Sequence, residues 1–431
     1  NRRKGLAMSN GRVETAGVGA PAPAASGVAA WMLWVLVLLL VYVLIVAVDV
    51  IGRGFSAASG GAEGAERIFA FATNPILGVI LGTLATALVQ SSSTVSSVIV
   101  GLVAGGLPVG IAIPMIMRAN MGTTITNTIV SLGNLRDGPA FNRSFGAATV
   151  HDFFNLLSIV IFLPIEMIFH PLERMAGALA EMFAGGGSAS MADANVVRMV
   201  TRPAVNQVRD LFGAIPEPFG PLLMIAFGIA LVIISVLLLG KLLRQAMTGS
   251  SQRIFEAALG RGPLLAIVVG AVITILVQSS STTTSLVVPL AGAGILTLMQ
   301  VYPFTLGANV GTCVTALLAA TAVSGAYEVF AIQIALVHLL YNTLAVAVIF
   351  IVPVLRDLPV KASKALANGA ERSRWVVLAY VLGVFFVLPG TALFAQSMLG
   401  GPSPEVLKAE ENEPRLKAAE AAVQEQDMII E

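Results

Sequence analysis

Gln90-Ser91-Ser92-Ser93-Thr94 recurs as Gln278-Ser279-Ser280-Ser281-Thr282, and each copy lies inside a long apolar segment. A hydroxyl or amide moved into hydrocarbon without a partner costs roughly 2–7 kcal/mol. Two such quintets in apolar surroundings point to a site for something polar.

Composition sets the solvent. The 431 residues are 56% hydrophobic and 11% charged, with a mean hydropathy of +0.87, whereas charged residues make up about 25% of soluble domains. An all-α integral membrane protein is expected. Apolar runs near the roughly 20 residues that cross a bilayer as helix are Trp31–Ile51, Ala147–Ile168, Pro221–Gly240, Val329–Val354 and Trp375–Phe394. The first follows Arg2, Arg3 and Lys4. It is longer than the apolar core of an export signal and no small-residue cleavage site closes it, so a retained span is expected.

Other classes lose support. Cys313 is the only cysteine and has no internal disulfide partner; in an apolar segment it reads as a small buried hydrophobe. Three histidines without clustered thiols or carboxylates give no transition-metal signature. A net charge of +1 without a basic patch gives no nucleic-acid signature. Serine and histidine coexist in the apolar segments, but neither quintet sits in a Gly-x-Ser-x-Gly elbow, so a non-enzyme is expected.

Basic residues mark cytoplasmic connections. Arg2, Arg3, Lys4 and Arg12 lie in 1–30, Lys241, Arg244, Arg253 and Arg261 in 241–261, and Arg356, Lys361, Lys364, Arg372 and Arg374 in 356–374. By contrast, 166–217 has more acids than bases and is rich in Gly, Ser and Asn, including Gly185-Gly186-Gly187, and reads as an external loop. The expected organisation is a cytoplasmic tail (1–30), a first span with the first repeat (31–165), an external loop (166–218), a second repeat with the last span (219–395), and an acidic, partly helical, external tail (396–431).

The repeat is longer than the serines. Pro75 matches Pro263, Gly82 matches Gly270, Thr86 matches Thr274 and Ser97 matches Ser285. After one added residue, Asn120-Met121-Gly122-Thr123 matches Asn309-Val310-Gly311-Thr312 and Thr126 matches Thr315; further on, His151 and Asn155 recur as His338 and Asn342. The charge pattern starts the first copy outside and the second inside, so the copies are expected to be inverted, as in secondary transporters. Ile76–Val89 and Leu264–Val277, ahead of each glutamine, fall short of the roughly 20 residues of a full crossing. Each is therefore read as part of a re-entrant or discontinuous helical hairpin, tolerable only inside protein or beside an aqueous cavity.

The chemistry follows from what is missing. Residues 68–117 and 262–327 contain no Asp, Glu, Lys, Arg or His. Hydroxyls, amides and carbonyls suit a hard cation such as sodium, and hydroxyls with helix N-terminal N–H groups suit an oxyanion. The second pair of polar clusters, Asn120–Asn127 and Asn309–Thr312, each with an Asn-x-Gly-Thr segment, reads as unwound turns offering oxygens, or as hydrogen-bonding contacts between helices. Arg118, without a counterpart in the second copy, either draws an anion in or snorkels to an interface. Asp49 and Asp152 are the notable buried-acid candidates; Asp152 either binds sodium or tunes coupling, or pairs with His151 or a helix end. The His/Asn pairs read as packing contacts rather than proton relays. A channel, and a carrier of another oxyanion such as sulfate or arsenate, stay open at this point.

These residues resemble the type II sodium-dependent inorganic phosphate cotransporters, a family with two inverted repeats each carrying Gln-Ser-Ser-Ser. The resemblance runs over about residues 40–395 and includes Leu44–Phe55, Gln90–Thr94, Ala119–Leu132, Ala147–Leu157, Val277–Ser281 and Tyr302–Ala320. It implies symport of inorganic phosphate, chiefly divalent, driven by inward sodium, with sodium the coupling ion and no other cofactor. Carried over by residue, it implies phosphate neighbours Ser91, Ser92, Ser93, Ser279, Ser280 and Ser281. Sodium ligands would be Gln90, Gln278, Thr312 and Thr315, joined through the repeat by Asn120, Thr123 and Asn309. Asp152 and Arg118 remain candidates for coupling. The stretch 166–217 is shorter than the disulfide-bearing loop of vertebrate members and lacks cysteine, and Arg118 stands where a small residue is usual. Together these imply a bacterial-type relative in the plasma membrane.

Overall fold

A computed structural model describes residues 30–59, 75–185, 188–246, 261–321, 323, 327–391 and 394. The tails 1–29 and 395–431, most of the connector 241–261, and Gly186-Gly187 lie outside these residues. Everything regular within them is helical, as expected where lipid offers no partner to the backbone. The helices are α1 (Ala30–Ser59), α2 (Pro75–Val89), α3 (Ser92–Ala104), α4 (Val109–Arg118), α5 (Thr124–Ser131), α6 (Gly138–Phe169), α7 (Pro171–Gly185) and α8 (Ser188–Gly213). There follow α9 (Phe219–Ala246), α10 (Pro263–Val277), α11 (Ser280–Ser285), α12 (Val287–Gly292), α13 (Leu298–Ala320), α14 (Glu328–Ile351), α15 (Pro353–Arg372) and α16 (Trp375–Leu382), which runs into a π-helical turn at Gly383–Val387.

Among the described residues, five helices are long and apolar enough to cross a membrane: Trp31–Ser59, Gly138–Phe169, Phe219–Leu239, Leu298–Ala320 and Glu328–Ile351. Four coincide with expected spans. Leu298–Ala320 does not, because its asparagine and threonines lower its mean hydropathy below that of the other four; most of its apolar stretch is buried inside the protein, so its polar groups face other helices rather than lipid. The expected span Trp375–Phe394 is a shorter apolar helix, Trp375–Thr391. The stretch read as an external loop is mostly helix, in α7 and α8. Glu166 begins this region by capping α7, accepting the N–H groups of Leu172 (2.7 Å) and Glu173 (2.9 Å), which that helix cannot satisfy itself.

Glycine sets the closest helix contacts. A Cβ on Gly82 in α2 would collide with the Met115 carbonyl oxygen in α4, and one on Gly270 in α10 would collide with the Phe304 carbonyl oxygen in α13. The two helix pairs therefore share one packing mode at matching positions. The first quintet is packed by a core containing Leu44 and Ile51 of α1, Ile99 of α3, Ile116 of α4, Phe154 of α6, Tyr302 of α13 and Ile334 of α14. A separate core of Val269, Ile273 and Val277 of α10, Val287 of α12 and Phe304 of α13 flanks the second.

Candidate functional site

Each quintet breaks a helix in the same way. Gln90 and Gln278 both adopt φ of 55°, in the left-handed region, where a non-glycine residue costs about 1–2 kcal/mol. Their backbone N–H groups close the preceding helix on Thr86 and Thr274, both at 2.7 Å. The side chains recoup part of that strain. Gln90 Oε1 accepts from Thr126 Oγ1 at 3.0 Å and its Nε2 donates to the Ala87 and Gly122 carbonyls. Gln278 Oε1 accepts from Thr315 Oγ1 at 2.7 Å and its Nε2 donates to the Ile275 carbonyl at 2.6 Å.

The next serine in each copy is a cap. Ser91 and Ser279 are extended and accept the N–H groups of Thr94 and Thr282, each at 3.2 Å. That leaves the N–H groups of Ser92 and Ser93, in the first turn of α3, without an acceptor in the helix. A helix N-terminus carries positive potential as well as free donors.

The two segments meet. Ser92 Oγ lies 3.4 Å from Ser280 Oγ, with Ser92 2% exposed and Ser280 4% exposed. Thr315 Oγ1, bonded to Gln278, is also 3.4 Å from Ser93 Oγ, so α13 joins the first copy's serines to the second copy's glutamine. Asn127 of α5 and Thr284 of α11 exchange hydrogen bonds at 2.8 and 3.1 Å. The result is a buried cluster of hydroxyls and amides from both quintets, with Ser281 Oγ 3.3 Å from Ser279 Oγ at its margin.

The Asn-x-Gly-Thr segments form a second layer. Asn120 donates to Asn342 Oδ1 and Asn309 to Asn155 Oδ1, each at 2.7 Å, so each segment bonds the other copy's helix. His151 Nε2 also bonds Asn309 Oδ1. These hydrogen bonds run between the two copies. The two segments differ in backbone, against expectation: residues 119–123 form a turn between α4 and α5, whereas Asn309–Thr312 lies within α13. Thr123 and Thr312 turn their hydroxyls back to the carbonyls of Asn120 and Ala308, both at 2.9 Å.

Arg118 does not snorkel. It is 6% exposed and its Nε donates to Thr83 Oγ1 at 2.9 Å. Thr83 lies seven residues before Gln90, about 10 Å along α2 at 1.5 Å per residue, so this bond ties Arg118 to the body of α2 and not to its Gln-Ser-Ser-Ser break. Asp152 does not pair with His151; the Tyr380 hydroxyl donates to it, and it stays within electrostatic reach of Arg118. Asp49 pairs with Arg53 one turn away at 3.1 Å. Cys313 is fully buried. Among the described residues, the group with metal-ligand character is Glu166, His170 and Glu173; Glu166 there is engaged in capping α7.

Sequence reasoning passed over Thr284 and Tyr380. It placed Thr126 and Asn127 in the polar stretch Asn120–Asn127 without a ligand role of their own, although Thr126 matches Thr315 in the repeat; the same register sets Asn127 against Ala316.

The family model described as Na+/Pi-cotransporter matches residues 43–189 and 231–356. The chain is 32% identical over 436 residues to sodium-dependent phosphate transport protein 2A of Ovis aries, covering 85% of this chain and 68% of that protein. It is 31% identical over 456 residues to sodium-dependent phosphate transport protein 2B of Homo sapiens, covering 85% of this chain and 65% of that protein. The chain thus spans about two thirds of the length of these relatives. No solved structure matches it. With a family model matched on both sides of α8 and relatives aligned over most of its length, the chain belongs to the Na+/Pi-cotransporter family.

Proposed function

We propose that this protein is a multi-pass symporter of the plasma membrane that carries inorganic phosphate into the cell with sodium by alternating access. The observation that carries this reading is the approach of Ser92 to Ser280 at 3.4 Å, which joins the two Gln-Ser-Ser-Ser segments in one buried polar cluster. The names of the relatives supply the substrate and the coupling ion.

The two repeats, 31–165 and 219–395, are inverted, and their broken helices are re-entrant hairpins that meet near the bilayer midplane. Phosphate is held by the hydroxyls of Ser91, Ser92, Ser93, Ser279, Ser280 and Ser281 and by the free N–H groups at the start of α3. Of these, Ser92, Ser93 and Ser280 are the central ones, because Ser91 and Ser279 already cap helices. Sodium is held by oxygens of Gln90, Gln278, Thr312 and Thr315, with Asn120, Thr123 and Asn309 in support. Gln90 and Gln278 each keep a lone pair on Oε1 beyond the one used by threonine. No charged side chain lies in 68–117 or 262–327, so sodium supplies the charge that offsets the phosphate, which couples the two ligands. Binding of radiolabelled phosphate to the purified chain should appear in sodium and vanish in potassium. Equal binding in both salts would sink the coupling.

A further inference from the structure

Two segments of nearly the same sequence, Ala119–Thr124 (ANMGTT) and Ala308–Cys313 (ANVGTC), hold different backbones in one molecule. In the first the helical ladder is interrupted: the Ala119 and Met121 N–H groups reach back three residues, to Ile116 at 3.2 Å and Arg118 at 3.1 Å. The second continues through α13 without a break. Local propensity argues for the reverse. Each segment has a proline the same distance upstream, Pro114 and Pro303, but the helical copy is preceded by Gly307, a poor helix former, and the broken copy by Arg118, a good one.

A second difference tracks the first. In the helical copy Asn309 Oδ1 is bonded to His151 Nε2. In the broken copy Asn120 Oδ1 has no partner, and neither ring nitrogen of His338 has one, although His338 is fully buried. His338 lies one turn before Asn342, which is already bonded to Asn120 at 2.7 Å, so the helix that would supply the missing bond already contacts this segment. Asn155, one turn after His151, is bonded to Asn309 in the same way. Burying an unpaired acceptor and an unpaired imidazole is unfavourable, so the broken copy holds a bond in reserve.

We infer that each Asn-x-Gly-Thr segment is a two-state hinge, latched in its helical form by the histidine of the other repeat, and that the two hinges exchange states as the carrier changes its facing. Here the His151–Asn309 latch is closed and the His338–Asn120 latch is open. The opposite facing closes the second and opens the first, so the two states carry matching sets of paired and unpaired atoms and stay close in energy. His338 is thereby a positioning residue for Asn120. The inference rests on the alternating-access reading above. One rival cause for the asymmetry exists in the sequence: a Cβ on Gly307 would collide with the Ile267 carbonyl oxygen, and Arg118 places a whole side chain at the matching position, which could wedge the first segment open.

Hydrogen exchange read by mass spectrometry on the full chain in nanodiscs separates these causes. Peptides covering 119–124 and 308–313 are followed in sodium with phosphate and in sodium-free buffer. The expected result is reciprocal: exchange slows tenfold or more in one segment as it quickens in the other. His338→Ala should abolish the protected state of 119–124, and His338→Gln, whose amide can replace the bond, should restore it. If His338→Ala fails to fold, the reciprocity of the parent protein decides. A first segment that exchanges fast in every buffer and becomes protected only in Arg118→Gly would overturn the hinge. Sodium-driven uptake by the same purified protein in proteoliposomes, without reciprocal exchange in nanodiscs, would remove the hinge and leave the transport reading. Loss of that uptake would remove the transport reading, and reciprocity would still decide the hinge.

Discussion

Ser92 and Ser280, 188 residues apart in the chain, bring their hydroxyl oxygens to 3.4 Å of each other inside the protein. Two side chains converging on one ligand do not act independently. Ser92→Ala and Ser280→Ala should each lower phosphate uptake by about tenfold, the loss of one hydrogen bond to a charged group at roughly 1.5 kcal/mol. The double variant should fall short of the product of the two. Full activity in either single variant, at equal protein in the membrane, would remove that serine from the site.

The left-handed glutamines separate stability from activity. Glycine at position 278 would relieve about 1–2 kcal/mol of backbone strain and would lose side-chain hydrogen bonds that contribute about 1 kcal/mol each. Gln278→Gly should therefore unfold within a few degrees of the parent in a thermal melt while its sodium-driven uptake is lost. A variant that transports normally would show that the glutamine is there only for its backbone shape.

Thr315 touches both Gln278 and Ser93. If its hydroxyl serves sodium, Thr315→Val should raise the sodium concentration for half-maximal uptake by about tenfold, equivalent to 1.4 kcal/mol. The apparent affinity for phosphate at saturating sodium should then stay close to that of the parent. A shift confined to phosphate would assign the residue to the anion.

Tyr380 donates to the buried Asp152 carboxylate. Tyr380→Phe removes that donor and should cost about 1–3 kcal/mol of stability, read as a lower melting temperature. An unchanged melt would mean that the carboxylate finds a replacement donor.

Glycine contacts offer a paired control. Gly270→Ala sets a methyl group against the Phe304 carbonyl and should destabilise by about 1–3 kcal/mol, the usual effect of overpacking. Gly110→Ala, with nothing within 4 Å of the new carbon, should be neutral or stabilising. Equal melts for the two would contradict the close packing of α10 on α13.

Much of this arrangement is legible in the sequence because it is duplicated. Ser92 and Ser280 could be singled out as a pair since each quintet is an unexplained cost in an apolar run, and Thr126 follows from Thr315 by register. The span Leu298–Ala320 escaped because hydropathy averages over all faces of a helix, and here Asn309, Thr312 and Thr315 turn toward protein. Arg118 was misjudged for a related reason: whether a long cation reaches the interface depends on where α4 packs, and the glycine-mediated contact with α2 carries it inward to Thr83. Composition suggested a loop at 166–217, but the capping of α7 by Glu166 depends on contacts that composition does not contain.

The central claim is tested most directly by uptake of radiolabelled phosphate into proteoliposomes containing the purified full chain under an inward sodium gradient. The account predicts accumulation that collapses when potassium replaces sodium outside and that falls in Ser92→Ala and Ser280→Ala. Uptake that is indifferent to the sodium gradient, in vesicles where the protein is shown to be folded, would contradict it.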